Sequence, residues 1–147
     1  METLRFRPKD NYFKTASWEQ LYVLTEKWKS DFEFYRFEHS FLKKLLNKYF
    51  IWINDDNNVL HVEKLAVKID ELERKRVDFN NKTILHLRHI EEIIDNEFVY
   101  DAQKFRDEHE GLEDAIVRFN KEFKVLKKEV FDVTEYILES ENIAHLI

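Results

Sequence analysis

Apolar side chains recur at alternating steps of three and four residues along three long stretches of the chain. This spacing places them on one face of an α-helix. It predicts helices over about 17–53, 58–96 and 98–140. Nearly the whole chain is therefore expected to be helical.

The predicted helix boundaries depend on a few polar residues. Ser17 can cap the first helix, because Gln20 follows three residues later in the spacing of a capping box. The run of Asn and Asp over 54–58 is the clearest loop, and it offers several N-caps for the second helix. The second apolar stripe cannot continue into the third without meeting charged side chains, so we predict a turn near 95–101.

Three long helices joined by short loops predict an all-α fold, an elongated antiparallel bundle in which the helices run up, down and up. The chain, residues 1–147, is expected to form a single domain. One Gly and one Pro in 147 residues agree with few turns. A four-helix bundle is the alternative, formed either by a break near Asn80 or Gly111 or by dimerisation.

Three helices cannot cover all the apolar side chains of this sequence. A second apolar strip lies beside the main stripe of the first helix, and further apolar residues lie off the main stripe of the third. Exposed strips of this size indicate a protein partner, and a symmetric dimer is the simplest solution. The residues concerned are Phe34, Phe37, Phe41 and Leu45 on the first helix and Val125, Phe131 and Tyr136 on the third.

Charge and composition exclude several classes of function. The net charge is −6 and there is no basic run, which argues against nucleic-acid binding. The longest apolar stretch, Tyr49 to Ile53, is too short to span a membrane. Residues 1–8 lack a signal-peptide pattern, so we expect a cytoplasmic location. Without Cys, and with one Gly, the chain has no thiol chemistry and no Gly-rich phosphate loop, and an enzymatic role is not favoured.

Three histidines lie on the predicted core stripes: His39, His86 and His109. If the second turn is centred near residue 98, His86 faces the position next to His109 on the third helix. His89 and Glu113 lie at helical spacings from these two residues, so His86, His89, His109 and Glu113 are candidate metal ligands. The Glu-x-x-His motif of di-iron bundles is absent. Hydrogen-bonded core histidines are therefore the favoured interpretation.

Arg76 also lies on a core stripe. A first loop centred at 55–56 places it opposite Tyr35, within reach of Glu38 and His39. We predict a Glu38–Arg76 pair, and Glu38, His39 and Arg76 are the buried polar candidates. The favoured interpretation is an ion pair that fixes the helix register, and a functional polar site is the alternative.

Two segments, Trp28–Phe50 and His109–Val130, resemble a group of small uncharacterised bacterial all-helical proteins. The resemblance rests on the spacing of aromatic and aliphatic residues. It implies a helical bundle and transfers no activity and no residue roles.

No residue pattern specifies a biochemical activity. The sequence is most typical of a non-catalytic helical interaction or structural protein that self-associates as a dimer, with another protein partner as a further possibility for its helical faces. The alternative is a metal-binding helical bundle that uses core His and Glu residues. Apart from that metal ion, no cofactor is predicted.

Overall fold

A computed structural model describes residues 16–50 and 53–140 of the chain. Within these residues the protein consists of three helices, α1 (Trp18–Phe50), α2 (Asp56–Asp95) and α3 (Ala102–Ser140). They contain 33, 40 and 39 residues, which corresponds to about 50–60 Å each at 1.5 Å per residue. The predicted all-α bundle of three long helices is confirmed. The described part of the chain contains no fourth helix, because α2 continues through Asn80 and α3 through Gly111.

The helices run up, down and up, so that α1 and α3 are parallel. Contacts between α1 and α2 join later residues of one to earlier residues of the other, as in the Lys43–Asp70 and Tyr22–Glu91 contacts. Contacts between α1 and α3 instead keep a nearly constant offset in residue number. Phe41 meets Phe131 in this way. The two N-termini of α1 and α3 therefore lie at the same end of the bundle.

Side-chain caps begin the first two helices. The predicted capping box at Ser17 is confirmed: its backbone N–H donates to Gln20 Oε1 at 2.7 Å, and the backbone N–H of Gln20 donates to Ser17 Oγ at 3.1 Å. In the predicted loop, Asp55 caps α2 by accepting from the backbone N–H of Asn57 at 2.8 Å. These bonds satisfy backbone donors that a helix N-terminus leaves without partners.

The first helix does not reach residue 53, where the apolar spacing predicted its end. α1 is described as far as Phe50. Ile53 lies outside the helix, and its backbone N–H donates to the Phe50 carbonyl at 3.2 Å. Residues 51–52 of the prediction lie outside the described residues.

The predicted start of the third helix at residue 98 was too early, although the turn lies where the phase change placed it. Asn96 ends α2 in an extended conformation, and its Oδ1 accepts from the backbone N–H of Phe98 at 3.2 Å. Asp101 then caps α3 by accepting from the backbone N–H of Lys104 at 3.0 Å. Phe98, the predicted first residue of the third helix, is 88% exposed because it belongs to this turn.

The core consists of the apolar stripes of the three helices, which face one another along the bundle axis. Phe119 lies at its centre, with its ring centroid 5.6 Å from Phe32, 5.7 Å from Tyr35 and 5.9 Å from Phe79. These aromatic contacts join all three helices. A second, smaller apolar cluster lies nearer the N-termini of α1 and α3 and includes Leu21, Ile90, Ile93 and Phe105.

Candidate functional site

Two core histidines form a hydrogen-bonded pair between α2 and α3. His86 Nε2 lies 2.6 Å from His109 Nδ1, so one nitrogen donates and the other accepts. The turn position predicted from the sequence placed these two residues opposite each other, and the structure shows them in contact. The His86 ring stacks on Phe105 with centroids 4.5 Å apart, and the His109 ring packs on Trp28 at 4.8 Å. Both histidines are buried.

The surroundings of His86 disfavour its protonation. Burial, and to a smaller extent charge repulsion from the neighbouring His89, lowers the pKa of His86 to about 4. His86 is therefore neutral near pH 7. Whichever ring donates, a single N–H lies between the two facing nitrogens.

The other two candidate metal ligands lie near the pair but do not complete a metal site. His89 packs against the Tyr100 ring at 5.1 Å, and Glu113 is buried one helical turn after His109. Over residues 16–50 and 53–140, no group of three or more His, Asp or Glu side chains is arranged to hold a metal ion. Two nitrogens on one tetrahedral zinc ion would be about 3.3 Å apart, farther than the distance between His86 and His109. As it stands, the geometry fits a hydrogen bond between the rings better than metal ligation.

The buried Arg76 forms an ion pair with a half-buried carboxylate, which is not the predicted partner. Its Nε donates to Glu73 Oε2 at 2.9 Å and its Nη2 donates to Glu73 Oε1 at 2.6 Å, in a two-pronged contact. Its Nη1 donates to the Phe32 carbonyl at 3.5 Å. The predicted Glu38–Arg76 pair was wrong, because Glu38 lies on the side of α1 that faces α3 and pairs there with Lys127. The spacing of three residues between Glu73 and Arg76 was the sequence signal for the observed pair.

His39 joins this ion pair from α1. Its Nδ1 lies 3.2 Å from the Tyr35 carbonyl and 3.3 Å from Glu73 Oε2. Both neighbours are acceptors, so Nδ1 carries the proton. Burial lowers the pKa of His39, and the Glu73 carboxylate opposes this effect. Its Nε2 is buried beside Phe123 and has no hydrogen-bond partner among the described residues. The cluster thus cross-links α1 and α2 at one register.

Four phenylalanines form an exposed surface, which we call the aromatic strip: Phe34, Phe37, Phe41 and Phe131. Their exposed fractions are 61%, 62%, 55% and 42%. The first three lie on one face of α1, and Phe131 on α3 adjoins them, with its ring centroid 6.5 Å from that of Phe41. The Arg36 guanidinium lies 5.0 Å from the centre of the Phe37 ring.

The other residues predicted to be uncovered do not belong to the aromatic strip. Leu45 is partly buried and packs against the core. Tyr136 and Val125 are exposed, but Val125 lines a groove of about 490 Å³ between α2 and α3. Ion pairs between the two helices line this groove, at Lys68–Glu129 and Lys75–Glu122.

The fold and these sites define an all-α bundle of three long helices with two buried polar clusters and one exposed aromatic strip. Within the described ranges, no helix is long and apolar enough to cross a membrane. No protein family, curated protein or solved structure matches the chain. The resemblance to small bacterial helical proteins therefore stays a prediction.

Proposed function

We propose that the protein is a non-catalytic helical interaction protein that self-associates through the aromatic strip. The observation that carries this proposal is the exposure of Phe34, Phe37, Phe41 and Phe131 on one surface of α1 and α3. Scattered single apolar residues are ordinary on a protein surface, whereas adjacent aromatic rings are not. Aromatic residues are also the ones most enriched at the centres of protein interfaces.

The strip is large enough to support association. Fully burying one exposed phenylalanine stabilises a complex by about 1.5–3 kcal/mol, and covering the exposed fractions of these four rings gives on the order of 3–7 kcal/mol per strip. Association costs on the order of 4–15 kcal/mol in lost translational and rotational freedom. A pair of strips facing each other contributes twice as many rings, so self-association is favoured over a contact with a polar surface.

The proposal is tested with Phe37→Asp, which places a charge in the middle of the strip. Size-exclusion chromatography with light scattering gives the mass of the intact chain and of the variant at the same concentration. We expect a dimer for the intact chain and a monomer for Phe37→Asp. The matched control is Phe98→Asp, because Phe98 is 88% exposed in the turn after α2 and lies outside the strip. A dimer that survives Phe37→Asp would overturn the proposal.

Metal binding is the second candidate function, supported by the two facing imidazole nitrogens of His86 and His109 in a buried site. Binding requires the two rings to separate by less than about 1 Å to reach the nitrogen spacing of a tetrahedral ion. Elemental analysis of chelator-free, dialysed protein tests this function. One or two transition-metal ions per chain, lost in His109→Ala, support it. Folded protein with no metal refutes it.

A further inference from the structure

The charges that flank the aromatic strip differ between its two ends on α1. Glu26 and Glu33 are exposed on the N-terminal side, and Lys44 and Lys48 are exposed on the C-terminal side. All four lie on the outer face of α1 that carries the strip, at helical spacings from Phe34, Phe37 and Phe41. Lys27 on the N-terminal side pairs with Asp31 at 2.9 Å, and Glu33 pairs with Arg36 at 2.6 Å. The difference in charge between the two ends is therefore carried mainly by Glu26 at one end and by Lys44 and Lys48 at the other.

We propose that the occupant of the aromatic strip is a second copy of this chain, with α1 packed antiparallel on α1 of the other copy and the twofold axis at Phe37. This inference rests on the proposed self-association and specifies its geometry. An isologous contact of this kind buries the same surface of both copies and closes as a dimer.

The spacing of the aromatic residues fits a twofold axis at Phe37. In an antiparallel pair centred there, residue i of one copy lies level with residue 74 − i of the other. Phe37 then meets Phe37 of the other copy, and Phe34 lies within one residue of the level of Phe41 of the other copy. Each ring on α1 thus faces a ring of the other copy, which is the condition for a continuous apolar interface.

The charges select the antiparallel orientation. Centred at Phe37, Lys48 lies level with Glu26 of the other copy, and Lys44 lies within one helical turn of Glu33 of the other copy. A parallel pair would instead place Lys44 and Lys48 against the same lysines, and like charges in an interface are unfavourable. The antiparallel arrangement also sets the dipoles of the two α1 helices in opposite directions.

The absence of Cys from the sequence makes the orientation directly measurable. Glu26→Cys and Lys48→Cys are made in the full chain and treated with a short bis-maleimide cross-linker, singly and as a mixture. In the antiparallel dimer, residue 48 of one copy is about 33 Å along the helix axis from residue 48 of the other. We expect cross-linked dimers only in the mixture. Val67→Cys is the control, because Val67 is exposed on α2 outside this face.

The outcomes separate this inference from the proposed function. Cross-linking of Lys48→Cys with itself shows a parallel dimer and overturns the antiparallel geometry, while a strip-mediated dimer remains if Phe37→Asp is monomeric. Absence of cross-links in the mixture, in protein whose mass is that of a dimer, places the interface elsewhere and overturns the inference. A chain that is monomeric at every concentration overturns the inference and the proposed self-association together.

Discussion

Acid destabilisation through His86 is a direct consequence of the buried histidine pair. In the unfolded chain His86 has an ordinary histidine pKa of about 6.5, whereas burial lowers its pKa to about 4 in the folded protein. The unfolded state therefore binds more protons than the folded state between these two values. The stability contribution is fully present above about pH 6.5 and is lost as the pH falls towards 4.

The magnitude follows from the two pKa values. Between pH 7.5 and pH 5, a single histidine with this shift lowers the free energy of unfolding by about 2 kcal/mol. The titratable groups that act on His86 are His89 on α2, through its charge, and His109 on α3, through the hydrogen bond. A substitution at position 86 keeps both neighbours in the chain, so a comparison of two chains reports the titration of His86 together with its effect on His109.

The variant for this comparison is His86→Gln, because a glutamine amide can still donate to His109 Nδ1 but does not titrate. Urea unfolding followed by circular dichroism at pH 7.5 and pH 5 gives the free energy of unfolding of both chains. We expect the intact chain to lose about 2 kcal/mol more than His86→Gln over this interval. The same substitution at His61, which is exposed on α2, measures what a histidine-to-glutamine change does outside the core. Equal losses for the intact chain and His86→Gln would refute the assignment of a low pKa to His86.

Two further predictions concern the core and the Arg76 ion pair, both measured by urea unfolding at pH 7.5. Phe119→Ala removes the ring that contacts all three helices and should cost about 3–5 kcal/mol, whereas Phe98→Ala should stay within about 0.5 kcal/mol; similar costs would mean that Phe119 is not central to the core. Glu73→Gln leaves the buried Arg76 charge poorly paired and should cost about 1–3 kcal/mol, while Arg76→Met should change stability by less than about 1 kcal/mol. A larger cost for Arg76→Met than for Glu73→Gln would contradict the view that the pair mainly fixes register.

The fold was predictable because apolar spacing dominates this sequence. The alternation of three- and four-residue steps gave the helices, and the position of the second turn brought His86 opposite His109. The errors lie where local side-chain bonds outweigh periodicity. Phe98 continues the apolar spacing of α3, but the caps at Asn96 and Asp101 hold it in a turn.

The polar clusters were less predictable because small rotations about a helix axis decide which partner a long side chain meets. From the sequence we predicted that Glu38 and Arg76 lie at the same level of the bundle. In the structure Glu38 projects towards α3 and pairs with Lys127. The bond from Arg76 to Glu73 could have been predicted, because the two residues are three apart on one helix. The aromatic strip was predicted in part, since Phe34, Phe37 and Phe41 are exposed as expected. Phe131 joins the strip because α1 and α3 run parallel and side by side, which places its ring beside that of Phe41.

The most direct test of the central claim is the mass of the intact chain in solution, measured by sedimentation equilibrium over a wide range of concentration. Association through the aromatic strip predicts a reversible monomer–dimer equilibrium, with a mass that approaches twice that of one chain as the concentration rises. A mass equal to one chain at every concentration would contradict the claim.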